Sequence, residues 1–441
     1  MSETAQVSAR AKQAESTPTQ WDWVDRTIWT ERMLAALGNG VKGNKWFSLI
    51  DKVYRPSTLQ SAWEQVKSNR GAAGVDKQSI ESFTAHAQRY LDELTKDIEE
   101  GRYQPDAVRR VEIPAGGKTR PLGIPTVKDR IVQTAVKRVI EPIFEKEFLP
   151  TSHGFRPGRS CKDALREVDK CLKEGYVHIV DADLKGYFDS IPHHLLQERI
   201  ETRISDGRLL ALLAAWLRQD IVRGLERWTP TGGTPQGAVI SPLLANLYLH
   251  PLDERMLQSG YRMVRYADDF VILCQSAEQA HAALAEVKAW VAANGLTLHP
   301  DKTHIGDCRI AGQGFDFLGY RFEAGTRRVR KKSLQGIKDK IREKTRRTRG
   351  DSLARIIADL TPIIRGWFGY FKHASRREFP PLDGFIRRRL RAILRKQDKH
   401  PGMGRCRADH MRWPNAYFAT MGLFTMTDAR LSASQSRCGN H

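Results

Sequence analysis

The sequence contains no run of about 18 apolar residues, the length a helix needs to cross a bilayer, and its first 20 residues lack the apolar stretch that directs secretion. Membrane insertion and export are not expected, and the chain reads as cytoplasmic. Cysteine is scarce too: Cys161, Cys171, Cys274, Cys308, Cys406 and Cys438 are scattered without a CxxC pair. That spacing builds neither a disulfide framework nor a zinc site, so six reduced thiols are expected. Acid is in deficit. The 51 Asp and Glu face 72 Lys and Arg, leaving a net charge of +21 and a pI near 9.8. Such an imbalance repels itself unless a polyanion supplies the missing charge, which makes nucleic acid the expected partner.

With 441 residues the chain is long enough for two to four structural units. Residues 1–20 are polar and aperiodic, a flexible tail leading into the aromatic segment Trp21 to Trp29, and the N-terminal extension is drawn as 1–45. Helical spacing over Leu59–Ser68 and Tyr90–Glu99, with strand-like residues from Val108 to Pro114, predicts a mixed α/β lobe. From Tyr176 to Phe322 short strands (YVHIVDADL, YRMVRYADDFVILC, FDFLGYRF) alternate with helices, predicting a sheet with helices on one side. Beyond Arg321 the chain turns basic. RRVRKKSLQGIKDKIREKTRRTRG, LARIIADLTPIIRGWFGYF and FIRRRLRAILRKQDK give three successive helix candidates whose charge points to polyanion binding. The class is α+β, divided at 46–325, 326–395 and 396–441.

The most specific chemical signal is Arg265-Tyr266-Ala267-Asp268-Asp269-Phe270, flanked on both sides by β-prone residues. Two strands joined at such a turn project adjacent carboxylates from a hairpin tip. A second acidic strand end, Val180-Asp181-Ala182-Asp183-Leu184-Lys185-Gly186-Tyr187-Phe188-Asp189, offers a partner. Nucleotidyl transfer uses two Mg²⁺ ions about 4 Å apart, and hard oxygen ligands from separate strands can bridge them. The residues alone do not choose among Asp181, Asp183 and Asp189.

Order and spacing add to this. Asp183 to Phe188, then Pro235-Gln236-Gly237, then Tyr266 to Asp269 resemble the palm of reverse transcriptases. KSNRGAAGVDKQSIESF, GKTRPLGIPTVKDRIVQTAVKRVIEPIFEKEF, SHGFRPGRSCKDAL, GTPQGAVISPLLANLYLH, GLTLHPDKT, FDFLGY and IIRGWFGYF resemble the group II intron members specifically, over roughly residues 50 to 375. The resemblance implies a right-hand polymerase fold with fingers and palm, then an α-helical thumb and maturase region. It implies Asp183, Asp268 and Asp269 as catalytic acids holding two Mg²⁺ ions. Phe188 becomes the residue that excludes a 2′-hydroxyl, Gln236 and Gly237 the loop against the nucleotide, and Lys118 and Arg120 the cations at the triphosphate. Lys302 is implied near the pyrophosphate as a general acid.

For nucleic-acid contact the resemblance implies Arg70, in the template-gripping loop to Asp76, and Arg156, for which a structural ion pair is the alternative. The basic block offers Arg346, Arg347 and Arg349 as further contacts, and the resemblance adds Arg365 and Lys372 on the thumb, where Trp367, Phe368, Tyr370 and Phe371 are expected in the core. Partners would be the intron RNA, an RNA template with DNA primer, a DNA target and dNTPs; the sequence does not set the oligomeric state. Residues 396–441 are expected to form a short basic DNA-binding segment. Only 26 residues follow Asn415 and no paired cysteines exist, so the HNH nuclease of many relatives is not expected. Two other classes share this pattern: a splicing-only maturase, and a domesticated relative in host repair or phage defence. The first would have lost Asp183, Asp268 or Gln236, and the second often carries Ile in place of Ala267. An RNA-dependent RNA polymerase is disfavoured by Phe188 and the YADD tetrad.

Overall fold

The computed structural model describes residues 21–115 and 118–438, with backbone alone at 115, 118 and 433–438. In chain order the strands are β1 (Val108–Ala115), β2 (Lys118–Ile124), β3 (His178–Asp183), β4 (Ile221–Arg223), β5 (Glu226–Trp228), β6 (Arg262–Tyr266), β7 (Asp269–Cys274), β8 (His304–Asp307), β9 (Phe315–Phe317), β10 (Tyr320–Glu323) and β11 (Thr326–Val329). They form sheets in the orders β2-β1-β4-β5, β6-β7-β3-β8 and β11-β10-β9. The class is α+β, as expected.

Two helices, Val127–Glu145 and Ser241–Gln258, are buried over most of their length and form the spine of the fold. Thr126 starts the first by accepting the Asp129 amide on its hydroxyl. In front of them lies the sheet containing β3, whose two-residue pleat divides it between two cores. Val180 and Ala182, opposite Ile272 and Phe270, enter a core shared with the spine and the N-terminal helices. Ile179, Val264, Val271 and Leu273 enter a second core with the Cys161–Lys173 helix, β9 to β11 and the helices beyond. Helices therefore cover both faces of this sheet, not the one face expected, because strands β3, β6 and β7 carry apolar residues at successive positions.

Three of the expected boundaries need correction. Residues 21–45 are not a flexible extension: Val24, Ile28 and Trp29 are buried, Trp29 Nε1 donates to the Arg138 carbonyl at 3.2 Å, and Thr30 caps the Glu31–Asn39 helix. Residues 1–20, the expected tail, lie outside the described residues. The division at 325/326 cuts a hairpin, since β10 pairs with β11 from Tyr320↔Val329 to Glu323↔Thr326. Nor does 395/396 separate units. The Phe379–Gln397 helix crosses it, and buried Arg391 donates from Nε to the Trp413 carbonyl at 2.9 Å. Buried Asp383 accepts the Met426 and Thr427 amides at 3.1 and 2.9 Å, capping the Met426–Cys438 helix. Trp413, Phe418, Leu423 and Met426 complete the second core.

The expected basic helices stand at Lys331–Lys344, Leu353–Phe371 and Phe379–Gln397. Cys161, Cys171, Cys274, Cys308 and Cys406 are free thiols; the side chain of Cys438 is outside the described residues. No helix among the described residues is long and apolar enough to cross a membrane.

Candidate active site

Strands β6 and β7 pair from Arg262↔Leu273 to Tyr266↔Asp269, leaving Ala267 and Asp268 as a two-residue turn. Hairpins of this length twist correctly only with positive φ at the first turn residue. Ala267 takes it, at φ +60° with its side chain 8% exposed. For a residue with a Cβ that conformation costs roughly 1–2 kcal/mol, so the surroundings have to hold it. Alongside, β3 pairs with β7 and sets Asp183 directly opposite Asp269. The pleat puts Asp181, Asp183 and Asp269 on one face of the sheet, with Asp268 at the tip beside them.

This crowding shows in the acidities. Burial, then Asp181, Asp268 and Asp183, push Asp269 up to about 7. Asp268 is raised by burial and by Asp183, with Arg120 and Arg265 pulling the other way. Burial lifts Asp181 to about 6, partly offset by His304, whose Nδ1 is 3.9 Å away. Carboxylates so arranged hold more negative charge than the fold neutralises. Lys302 supplies one cation, its Nζ 2.8 Å from Asp183 Oδ2. The segment carrying it is tied to the end of β3 by the His299 amide on the Asp183 carbonyl at 2.7 Å and the Lys185 amide on the Thr297 carbonyl at 2.8 Å.

The donor set is hard carboxylate oxygen, which suits Mg²⁺. Among the described residues no three His, Cys, Asp or Glu side chains converge as a metal cage. Mg²⁺ bound in polymerase sites uses one or two carboxylates and completes its shell with water and substrate phosphate, so the donors present fit such an ion.

From the fingers side, Arg120 on β2 reaches in and donates from Nε to Gln236 Oε1 at 3.1 Å. The Gln236 loop is docked on the same strand: the Gly123 amide donates to the Gln236 carbonyl at 2.6 Å, and a Cβ on Gly237 (φ +106°) would stand 2.3 Å from the Gly123 carbonyl oxygen. Only glycine fits there. Lys118 lies on β2, but its side chain is outside the described residues. Phe188 follows Gly186 (φ +57°) in a short helix, 8% exposed, edge-on to Phe155 at 6.4 Å between ring centroids. Its carbonyl accepts the Thr234 amide at 2.6 Å, which joins it to the Gln236 loop. Arg120 thus links the Gln236 loop to the acids, since its charge acts on Asp268, while Lys302 joins Asp183 and Phe188 joins the Gln236 loop through Thr234. Asp189 does not join the acids; the charges attracting it are Arg110 and Arg120.

Two basic assignments are corrected. Arg156 is buried and makes a two-nitrogen fork on Glu145, with Nη1 and Nη2 also donating to the Leu149, Ser152 and Phe148 carbonyls. It holds its own loop and has nothing left for phosphate. Arg349 is engaged by Asp351 and Asp359 in ion pairs. Of the others, Arg346 is exposed, Arg347 is half-buried toward Met403, and Arg365 is exposed over the Phe424 ring at 5.4 Å. Lys372 sits in a cleft with Lys162, Arg166 and Arg327. Arg70 is exposed, and the loop after it is held by buried Arg130, whose Nη2 donates to the Ala72 carbonyl at 2.9 Å. Phe368 and Phe371 are buried, with Trp367 and Tyr370 packed against the same core.

Phe155 went unnoticed in the sequence. It is 47% exposed, left-handed at φ +59°, and lies beside Phe188. Its only sequence signal is membership of SHGFRPGRS.

Residues 113–322 match the family described as reverse transcriptase (RNA-dependent DNA polymerase), and residues 334–413 match the group II intron maturase-specific domain. The chain is 34% identical over 334 residues to protein YkfC of Escherichia coli (strain K12), spanning 65% of this chain and 84% of YkfC. It is 36% identical over 208 residues to the group II intron-encoded protein LtrA of Lactococcus lactis subsp. cremoris, across 46% of this chain and 34% of LtrA. A putative COX1/OXI3 intron 2 protein of Saccharomyces cerevisiae is 34% identical over 199 residues, 44% of this chain and 23% of that protein. The match thus spans most of YkfC but only 34% of LtrA and 23% of the yeast intron protein.

Proposed function

The chain belongs to the group II intron family of reverse transcriptases and maturases, and from that premise we propose that it copies RNA into DNA at the Asp183/Asp268 cleft and binds its intron RNA to promote splicing. The observation that carries this is the pairing of Asp183 with Asp269 across β3 and β7, with Asp268 at the turn and Arg120 and Gln236 facing them from the fingers. In this reading Asp183 and Asp268 are the firmer metal ligands and Asp269 assists. Bound there, two Mg²⁺ ions would lower the pKa of the primer 3′-hydroxyl and offset charge on the triphosphate.

The chain's own residues do the rest. Arg120, with Lys118, orients the triphosphate by charge. Gln236 and Gly237 bring backbone against the nucleotide. Phe188 narrows the space at the 2′ position, and Lys302 protonates the departing pyrophosphate. The basic helices from Lys331 to Gln397 grip phosphates of intron RNA and of the template–primer duplex, with Arg70, Arg346, Arg347, Arg365 and Lys372 as contacts. A DNA target received by the same ribonucleoprotein would supply the 3′ end for target-primed reverse transcription, with dNTPs as substrates and the cytoplasm as the setting. Asp183, Asp268 and Gln236 are all intact, so nothing favours a splicing-only maturase.

The test is RNA-templated primer extension by the purified protein with Mg²⁺. Synthesis that stops on chelation and resumes on restoring Mg²⁺ supports the reading. A protein that binds intron RNA but never extends a primer would return it to a maturase alone.

A further inference from the structure

Arg265 occupies the strand position before Tyr266, and its side chain is fully buried, as are those of Asp253 and Asn246 on the Ser241–Gln258 helix. Its guanidinium forks onto Asp253, Nε to Oδ1 at 2.7 Å and Nη2 to Oδ2 at 2.5 Å. The remaining nitrogen, Nη1, donates to Asn246 Oδ1 and to the Ala267 carbonyl, both at 2.9 Å. Asn246 in turn donates from Nδ2 to the Gly154 carbonyl at 2.7 Å. Gly154 is where the turn rests: a Cβ there would stand 2.2 Å from the Ala267 amide nitrogen and 2.9 Å from the Tyr266 carbonyl carbon. Backbone bonds close the arrangement, the Arg265 amide on the Thr151 carbonyl at 2.9 Å and the His153 amide on the Arg265 carbonyl at 2.8 Å.

We propose that Arg265, held by Asp253 and Asn246, is the positioning residue of the acidic turn: through the Ala267 carbonyl it fixes where Asp268 stands, touching neither substrate nor metal. A buried ion pair is not required for stability, since apolar residues of similar size often replace both partners without loss. What an apolar pair cannot provide is a donor for the carbonyl of a left-handed turn residue, which burial would otherwise leave unsatisfied. The Ser241–Gln258 helix also carries the nucleotide-side loop at its start, where Ser241 Oγ donates to the Pro235 carbonyl at 2.9 Å. One rigid element therefore sets both Gln236 and, through Arg265, Asp268. A site whose geometry is fixed in this way loses on the order of 10²-fold in rate for a displacement near 1 Å.

The inference rests on Asp268 being a metal ligand. Its test is the double variant Arg265→Met/Asp253→Leu, which leaves no buried charge behind, compared with wild type in Mn²⁺ titration by electron paramagnetic resonance, thermal melting and steady-state primer extension. The expected result is a protein that still folds cooperatively, melts a few degrees below wild type because the Ala267 carbonyl has lost its donor, binds Mn²⁺ at least fivefold more weakly, and extends with kcat about 10–100-fold lower at unchanged KM for dNTP. A folded double variant with wild-type Mn²⁺ affinity and kcat overturns the proposal. Asn246→Ala, which keeps the ion pair and the Nη1 bond to the Ala267 carbonyl but removes the Asn246 bonds that hold Nη1 and the Gly154 carbonyl, gives an independent reading should the double variant not fold. A several-fold loss of Mn²⁺ affinity is expected there, and wild-type affinity overturns the proposal equally. Asp268→Asn in the same titration separates the two ideas: wild-type Mn²⁺ binding in that variant defeats the metal assignment, whereas loss there with no loss in the clamp variants defeats the clamp alone.

Discussion

Lys302 Nζ stands 2.8 Å from Asp183 Oδ2, so the acid at the end of β3 is already paired with a cation of the chain itself. With 58% of the lysine side chain exposed, this pair adds little to stability, roughly 0–1 kcal/mol. Its importance is placement, because the ammonium is within one side-chain swing of any triphosphate bound at the acids. Lys302→Ala should lower the single-turnover extension rate on the order of 10²-fold and leave the melting temperature nearly unchanged. Lys302→Arg should keep nucleotide affinity while losing most of the rate, since a guanidinium stays protonated. Equal rates for wild type and Lys302→Ala would make this a surface ion pair.

Phe188 is buried against Tyr187 and Phe155, whose ring centroids lie 5.6 and 6.4 Å away. Phe188→Val should cost roughly 2–3 kcal/mol in stability for the space it leaves. The same space should admit a 2′-hydroxyl. Primer extension with each nucleotide type is the measurement, and ribonucleotide use should rise while deoxynucleotide use falls little. Unchanged discrimination in the folded variant would make Phe188 a core residue only.

Arg156 and Arg346 make a contrasting pair. Removing Arg156 leaves Glu145 without its partner in a half-closed site, a loss of about 3–5 kcal/mol for a buried pair. Arg156→Ala should therefore melt much earlier, with the folded fraction binding RNA as wild type does. Arg346→Ala should melt normally and flatten the slope of log affinity against log salt by about one unit. The opposite assignment of effects would move Arg156 into the RNA footprint.

The residues alone leave Asp181, Asp183 and Asp189 open, and only the resemblance, through the order Asp183, Gln236 and Asp268, prefers Asp183, which the fold pairs with Asp269 across β3 and β7. Arg156 was not legible, since a motif gives a guanidinium's presence but not its direction, and Glu145 lies eleven residues away on another element. The hairpin across residue 325 was hidden for a related reason. Arg327 and Arg328 make β11 look like the start of a basic helix, and only pairing with β10 reveals a strand. The clamp on Ala267 was unreadable because it joins Gly154, Asn246, Asp253 and Arg265 through folded contacts. The N-terminal boundary was hidden for the same reason: the aromatic segment Trp21 to Trp29 is visible in the sequence, whereas the bond from Trp29 to the Arg138 carbonyl, over a hundred residues on, is not.

His153 is 4% exposed, and neither ring nitrogen has a hydrogen-bond partner among the described residues. Burial, with Arg159 and Arg156 adding to it, holds its pKa down to about 4. In the unfolded chain the imidazole takes its proton near 6.5. Between those values the unfolded state binds more protons than the folded one, so stability falls as pH drops from about 6.5 toward 4. His153→Phe should remove this contribution, and its melting temperature should fall several degrees less than that of wild type between pH 7 and 4.5. Parallel pH profiles would mean that the folded protein protonates His153 as readily as the unfolded chain does.

Asp268→Asn exchanges a carboxylate for an amide of nearly the same shape at the tip of the hairpin, away from the basic helices. Purified wild type and variant should be given an RNA template with a DNA primer and Mg²⁺, and intron RNA binding should be measured on the same preparations. Extension should vanish in the variant while RNA affinity and its salt dependence stay as in wild type, because a neutral amide cannot balance the charge of the metal ions. Extension by Asp268→Asn at near wild-type rate would contradict the assignment of this cleft as the polymerase centre.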